Sequence, residues 1–385
     1  MRLEHYHALK PVCPLCRRSG LGDFVLGIGM TIRGHGPEID EGVLRCANPP
    51  CQCEYPIIDG IPVLLPDVRQ FLADRQAELT LRDDLSGEMA AIVGEGAGSG
   101  SWLDSVRQHL SSYAWDHYGE FDPQEVQDEA RRHAGIKARS GRYAPDQRRD
   151  TGTEAPRPGL VAKVAARAVE LAGGNFDGPA LDLGCSVGRS TFELAAHGRG
   201  ITLGIDVNIS MLRLARRVLR EGIVRYDRRK LGLLYERREF PVTPAAAGAV
   251  DFWAADALCL PFADRTFARL MALNLLDCVS SPLDLLRSMH RVTASRGRFV
   301  VGCPYDWSGA VSPPQAWLGG HSPRGFFDGD SSQVLRAILT PGQHPVSLDG
   351  VRIIAADPAV PWQVRMHERY TAMYTVDVVV AEKQA

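Results

Sequence analysis

No apolar run in the chain approaches the ~20 residues that cross a bilayer. The opening stretch, "MRLEHYHALKP", also lacks the apolar core of a secretory leader. Both absences argue against a membrane partner. A surplus of charge is missing too: 44 Lys and Arg against 46 Asp and Glu leave a formal net charge of −2. Nothing general therefore draws the chain to nucleic acid or an anionic surface. Cysteine is sparse over most of the length. Five of the nine lie in the first 53 residues, and Cys185, Cys259, Cys278 and Cys303 are scattered. That distribution excludes a disulfide framework and fits a reducing, cytoplasmic setting with one metal site.

What is present divides the 385 residues into two domains and a connector. Residues 1–67 read as short strands and turns punctuated by Gly and Pro. Residues 68–157 read as a helical connector, "WLDSVRQHLSSYAWDHYG" being an amphipathic helix that could act as a lid, followed by a polar, mobile loop. From residue 158 to the end, strand-like and helix-like runs alternate, which argues for an α/β fold with a parallel sheet covered on both faces.

"CPLC" and "CANPPCQC" carry the cysteines of the first segment. Two thiolates a short turn apart can wrap one metal, and two such knuckles make a closed zinc site. Cys13 and Cys16 form one knuckle. Cys46 and Cys51, with a tight proline turn between them, are the preferred second pair, and Cys53 is a spare or substitute ligand. With the "CEYPIIDGIPVLLP" tail, residues 1–67 resemble the small zinc-ribbon proteins that bind and activate RNA and protein methyltransferases. The resemblance implies structural Zn2+ with no open coordination position, hence no catalysis by this metal. The apolar tail should pack on the rest of the chain, or on a second copy in a homodimer.

"ALDLGCSVGRS" follows an apolar strand and opens a helix. Gly184 and Gly188 allow the backbone to pass close to a ligand. A dinucleotide fingerprint would need G-x-G-x-x-G, and one glycine of that triplet is absent. Asp182 would also repel phosphate, yet it suits a ligand with a positive amino group, such as S-adenosylmethionine. Asp206 ends the next strand, where an acid can accept ribose hydroxyls. Asp256 and the Ala257 amide end a third, placed for an adenine. In order, these residues resemble the class I methyltransferase family. That resemblance implies a Rossmann-like sheet of seven strands and places Ser186 and Asn274 beside the cofactor as well.

Methyl transfer from a sulfonium is an in-line displacement, so acceptor specificity must lie past the fourth and fifth strands. "ALNLLDCVSSP", "CPYDWSGAVSPPQAWLGG" and "VPWQVRMHERYT" lie there. They offer Asn274, Asp277, Tyr305, Trp307 and Arg365, and the connector helix adds His117 and Tyr118. "ALDLGCSVGRSTFELA", "NLLD", "CPYDW" and "VPWQVRMHERY" resemble the methyltransferase half of the ovothiol biosynthesis enzymes. The resemblance implies N-methylation of an imidazole in a mercaptohistidine-like small molecule. Asp277 would fix the tautomer, Tyr305 or Tyr118 would orient the acceptor, and Arg365 would pair with its carboxylate. The alternative is an RNA or protein methyltransferase with a built-in ribbon. A non-catalytic cofactor-binding module is a third reading. The acidic balance and aromatic acceptor segments favour the small molecule.

Overall fold

The computed structural model describes residues 1–81, 85–127 and 157–385. The polar loop expected at the end of the connector thus lies mostly outside the described residues. An eleven-stranded sheet dominates. Its first four strands come from the cysteine-bearing segment: β1 (Leu26–His35), β2 (Glu38–Cys46), β3 (Glu54–Ile58) and β4 (Ile61–Leu64). A two-residue parallel pair, β5 (Phe176–Asp177) with β7 (Gly198–Arg199), stands apart. The sheet continues with β6 (Ala180–Leu183), β8 (Thr202–Asp206), β11 (Val250–Ala255), β12 (Phe267–Leu273), β13 (Thr293–Cys303), β14 (Val351–His367) and β15 (Tyr370–Lys383). Their order is β1-β2-β3-β4-β11-β8-β6-β12-β13-β15-β14, and a separate hairpin joins β9 (Ile223–Leu231) to β10 (Leu234–Pro241).

The central strands β6 and β11 are buried along their whole length, as parallel strands covered on both faces must be. Helices make the crossovers. Ile209–Glu221 starts on Asn208, whose side chain accepts from the Met211 amide at 3.1 Å, and stops at Gly222 in the left-handed region. Pro282–Val292 is capped by Ser281, with proline at its first position. Both are strongly amphipathic.

The chief departure from a seven-strand sheet is the join with the N-terminal segment. β4 pairs in parallel with β11, Val63 opposite Ala254 and Leu64 opposite Ala255. Ile57, Ile61, Val63 and Leu64 of the apolar tail are at most 2% exposed and share one core with Leu212, Phe252 and Leu286. Polar stitches reinforce the seam. Arg216, buried, reaches Asp251 and Glu38 at 3.1 Å each, and Arg213 reaches Asp59 at 2.8 Å. The tail is therefore covered within its own chain.

A second core packs the helix Leu160–Leu171 against Val300, Val378 and Val380. At the other end, β15 pairs with β13 only from Asp377 onward. Residues 370–376 pair with β14 alone and overhang the carboxyl ends of the parallel strands. The stretch read from sequence as an acceptor loop, "VPWQVRMHERYT", is largely the edge strand β14 of this overhang.

Candidate functional site

Five parallel strands end side by side, and their loops build the site. After β6 the chain turns at Gly184 (φ 69°), Ser186 (φ 52°) and Gly188 (φ 91°). A Cβ on Gly188 would sit 2.7 Å from the Phe252 ring and 2.9 Å from Ala215, so no other residue fits there. The Gly184 and Cys185 amides both donate to the Ile205 carbonyl (2.8 and 3.0 Å), binding the turn to β8. Asp182 lies buried beneath it. Its Oδ2 accepts from Ser190 Oγ and Thr191 Oγ1 at 2.7 Å each, and burial pushes its carboxyl up to about 7. It anchors the first turn of the helix Arg189–Ala196.

Asp206 accepts from the Ser186 amide on one oxygen (2.9 Å) and the Asn208 amide on the other (2.8 Å). A carboxylate has about four acceptor positions, so two directions remain for ribose hydroxyls. Asp256 accepts from the Leu258 amide at 2.8 Å, beside the buried Ala257. Burial raises the pKa of both acids. Asn274 is held in the left-handed region (φ 51°), its amide donating to the Gly302 carbonyl, while its buried Oδ1 has no partner among the described residues. An unpartnered acceptor and two half-buried carboxylates along one edge of the sheet suit a ligand bearing an ammonium and hydroxyls, and repel a pyrophosphate. S-adenosylmethionine has that chemistry.

Toward the acceptor end, Asp277 is buried. Its Oδ2 accepts from the Asp306 amide at 2.7 Å, and Cys278 Sγ lies 3.7 Å from Oδ1. Four expected substrate contacts are committed inside the fold. The Tyr305 hydroxyl donates to Asp377 Oδ2 at 2.8 Å, on a carboxylate that also takes Ser332 and Arg336. Trp307 donates to Ser331 Oγ (2.9 Å) and stacks on Trp317. Arg365 is buried, ion-paired with Glu125 and 5.7 Å from the Trp115 ring centre. The Tyr118 hydroxyl donates to the Val187 carbonyl at 2.9 Å.

The Tyr118 bond fastens the helix Trp102–Tyr118 over the glycine turn. His117 adds a second bond, its Nδ1 accepting the Arg189 amide at 3.2 Å, and burial lowers its pKa to about 3. One turn earlier on the same face stands Tyr113, which sequence reasoning passed over. Trp362 Nε1 donates to Asp116 Oδ2 at 2.7 Å, so β14 closes on the same helix, and Tyr374 is its cross-strand neighbour. The i, i+4 spacing of Tyr113 and His117 was the available signal; nothing local pointed to Tyr374.

The cysteines of the first segment converge. One Sγ each from Cys13, Cys16, Cys46 and Cys51 lies within 4.8 Å of all the others. The pairs Cys16–Cys46 and Cys13–Cys51 are 3.7 and 3.9 Å apart. Tetrahedral zinc with ~2.3 Å bonds gives sulfur–sulfur edges of ~3.8 Å. The Cys16 amide, the Asn48 amide and the Asn48 side chain approach these sulfurs at 3.4 to 3.5 Å, as supports of thiolate charge do. The donor set fits a closed metal site, and Cys53 stands outside it.

Residues 181–301, from β6 into β13, match the family model described as a methyltransferase domain. These residues form a methyltransferase domain. No curated protein matches the chain's sequence. Among solved structures, an S-adenosyl-L-methionine-dependent methyltransferase assigned in Methanococcus maripaludis is 14% identical at a TM-score of 0.29. That match covers 37% of this chain and 55% of the other, about half its length. The [4+2]-cyclase SpnF is 17% identical at 0.37, over 58% of this chain and 82% of that one. A complex containing the Haloferax volcanii Trm112 methyltransferase activator gives 14% at 0.35, over 59% and 89%. Likenesses this distant assign neither acceptor nor partner to the enzyme. Among the described residues, no helix is long and apolar enough to cross a membrane.

Proposed function

We propose that the enzyme N-methylates a small nitrogen base of the imidazole or thiol-imidazole type, with S-adenosylmethionine held by Asp206, Asp256, Asn274 and the Gly184–Gly188 turn. The observation that supports this best is the buried Asn274 Oδ1, which has no hydrogen-bond partner among the described residues, at the end of a strand in the same sheet as those that end in Asp206 and before Asp256. Cover by the helix Trp102–Tyr118 and the β14–β15 hairpin would exclude bulk water from a crevice suited to a small base.

When bound, the cofactor supplies an electrophilic methyl group on a sulfonium. The chain's residues then position and deprotonate. The acceptor nitrogen's lone pair forms the new N–C bond as the C–S bond breaks, and that electron pair stays on sulfur. Asp277 is suited to accept the second imidazole N–H. Its Oδ2 is fixed by the Asp306 amide and its pKa is raised by burial, so it can take the proton the product must lose. Tyr118 and His117 keep the covering helix on the glycine turn and so act on positioning. The proposed site residues Tyr305 and Trp307 hold the segment after β13, and Arg365 serves the fold rather than the acceptor.

The ribbon's Cys13, Cys16, Cys46 and Cys51 are proposed to hold zinc as a structural ion. Residues 1–67 would then be a built-in counterpart of the stand-alone activators, joined to a catalytic region of residues 158–385 through the β4–β11 pair. This role is compatible with any acceptor. Candidate imidazoles incubated with the enzyme and S-adenosylmethionine, then read by mass spectrometry, test the reading. A product 14 mass units heavier (one CH2) together with S-adenosylhomocysteine is expected. Methylation of RNA or protein, with imidazoles untouched, would replace it.

A further inference from the structure

Tyr113 and Tyr374 stand on the two elements that cover the carboxyl end of the sheet. Among the described residues neither hydroxyl has a hydrogen-bond partner, and both rings are half-buried. Tyr374 lies three residues before Asp377, the last residue paired with β13, and so projects past the end of that strand. Tyr113 lies one turn before Asp116 and His117, which fix its helix to Trp362 and to the glycine turn. Below them, Asp277 is tied to the Asp306 amide, with the partly open Cys278 beside it.

The charged groups near these rings have one sign, Asp206 for Tyr113 and Asp277 and Asp306 for Tyr374, while Cys278 and the tyrosine hydroxyls are neutral. The groups acting most strongly on Tyr113 are Cys278, Asp206, Asp116 and Tyr374. Those acting on Tyr374 are Asp306, Tyr370, Asp277 and Cys278. Cys278, its thiol pushed up to about 12 by burial and by Asp277, also feels Asp306. Among the described residues, no cation is a principal partner of these groups. Arg365, the cation sequence reasoning assigned here, is engaged with Glu125, and Arg336 with Asp377.

We propose that Tyr113, Tyr374, Asp277 and Asp306 form the acceptor subsite, and that it selects an amine-bearing imidazole over one carrying a carboxylate. The inference rests on the methyltransferase reading and narrows its small nitrogen base to one that bears an amine. Aromatic faces and carboxylates attract an ammonium, whereas an acceptor carboxylate would meet only like charge.

Two probes share the ring and differ in charge: histamine and imidazole-4-acetate. Each is titrated by calorimetry into the full chain saturated with S-adenosylhomocysteine. Histamine should bind at least tenfold more tightly. Asp306→Asn, an exposed change, should reduce that ratio several-fold, and Tyr374→Phe should weaken histamine while leaving S-adenosylhomocysteine affinity unchanged. Equal or tighter binding of the acetate, or binding of neither, overturns the proposal. The initial S-adenosylhomocysteine titration is scored separately: its failure sinks the cofactor reading, whereas its success with the wrong probe order sinks only the subsite.

Discussion

Removing the metal should weaken cofactor binding without unfolding the sheet. The reason lies in how the ribbon meets the adenine segment. β4 pairs with the last residues of β11, immediately before Asp256. On the far side of the same loop, the Val12 amide donates to the Pro261 carbonyl at 2.9 Å, and Cys259 Sγ lies 3.7 Å from the Pro14 carbonyl. Val12 and Pro14 flank Cys13, so the first knuckle is one jaw of a clasp on residues 256–261. The other jaw does not depend on metal. Ile57, Ile61, Val63, Leu64 and Leu65 are 0–6% exposed. At about 1.5–3 kcal/mol each, their burial contributes roughly 8–15 kcal/mol as an upper bound. Loss of the metal should free the knuckle and leave β4 in place. A typical coupling between two such sites is about 1–3 kcal/mol, so S-adenosylhomocysteine affinity should fall about 5- to 150-fold. The assay is calorimetric titration of the protein before and after chelation, with the metal measured in each sample, and of Cys16→Ser. Bound S-adenosylhomocysteine should raise metal affinity by the same factor, since coupling is reciprocal. Affinity within twofold after complete metal loss would refute the reasoning.

Gly188→Ala adds a left-handed penalty of about 1–2 kcal/mol to a clash with Phe252 and Ala215 that costs about 1–3 kcal/mol. Urea unfolding should show a loss within that combined range, and no loss would mean the turn is looser than described. Asp277→Asn should keep the bond from the Asp306 amide, leave the fold intact and lower methylation about 10²-fold; unchanged turnover removes the proton role. Burial raises the Asp116 carboxyl from 3.8 to about 8. Its contribution to stability is therefore complete below pH 3.8 and is lost as pH rises through about 8. Across that window stability should decline by at most about 1.4 kcal/mol per pH unit. Asp116→Asn should flatten that part of the profile in pH-dependent denaturation, and an unaltered slope would contradict the assignment.

The parts of the site that were legible are those whose chemistry is local. "ALDLGCSVGRS" announces a strand, a turn that tolerates only glycine at Gly188, and a helix, because backbone conformation is written in neighbouring residues. The choice of Cys51 over Cys53 rested on the turn between Cys46 and Cys51, and the four sulfurs do converge that way. What failed to show depends on distant partners. Arg365 is spaced like a substrate anchor, but its countercharge Glu125 lies 240 residues earlier. Tyr305 and Trp307 follow a strand as acceptor residues do, yet Asp377 and Ser331 take their polar atoms. "VPWQVRMHERYT" has the aromatic and charged mixture of a loop, and only pairing with β15 reveals a strand. The destination of the "PIIDGIPVLL" tail was equally hidden, since an apolar run states that it will be buried but not against which edge.

The most direct test of the account is calorimetry on the purified, metal-loaded chain with S-adenosylhomocysteine, NAD and FMN in parallel. A crevice edged by Asp206, Asp256 and the Asn274 carbonyl should take up the sulfur nucleoside and ignore both phosphate-bearing cofactors. Uptake of NAD or FMN with no response to S-adenosylhomocysteine would contradict it.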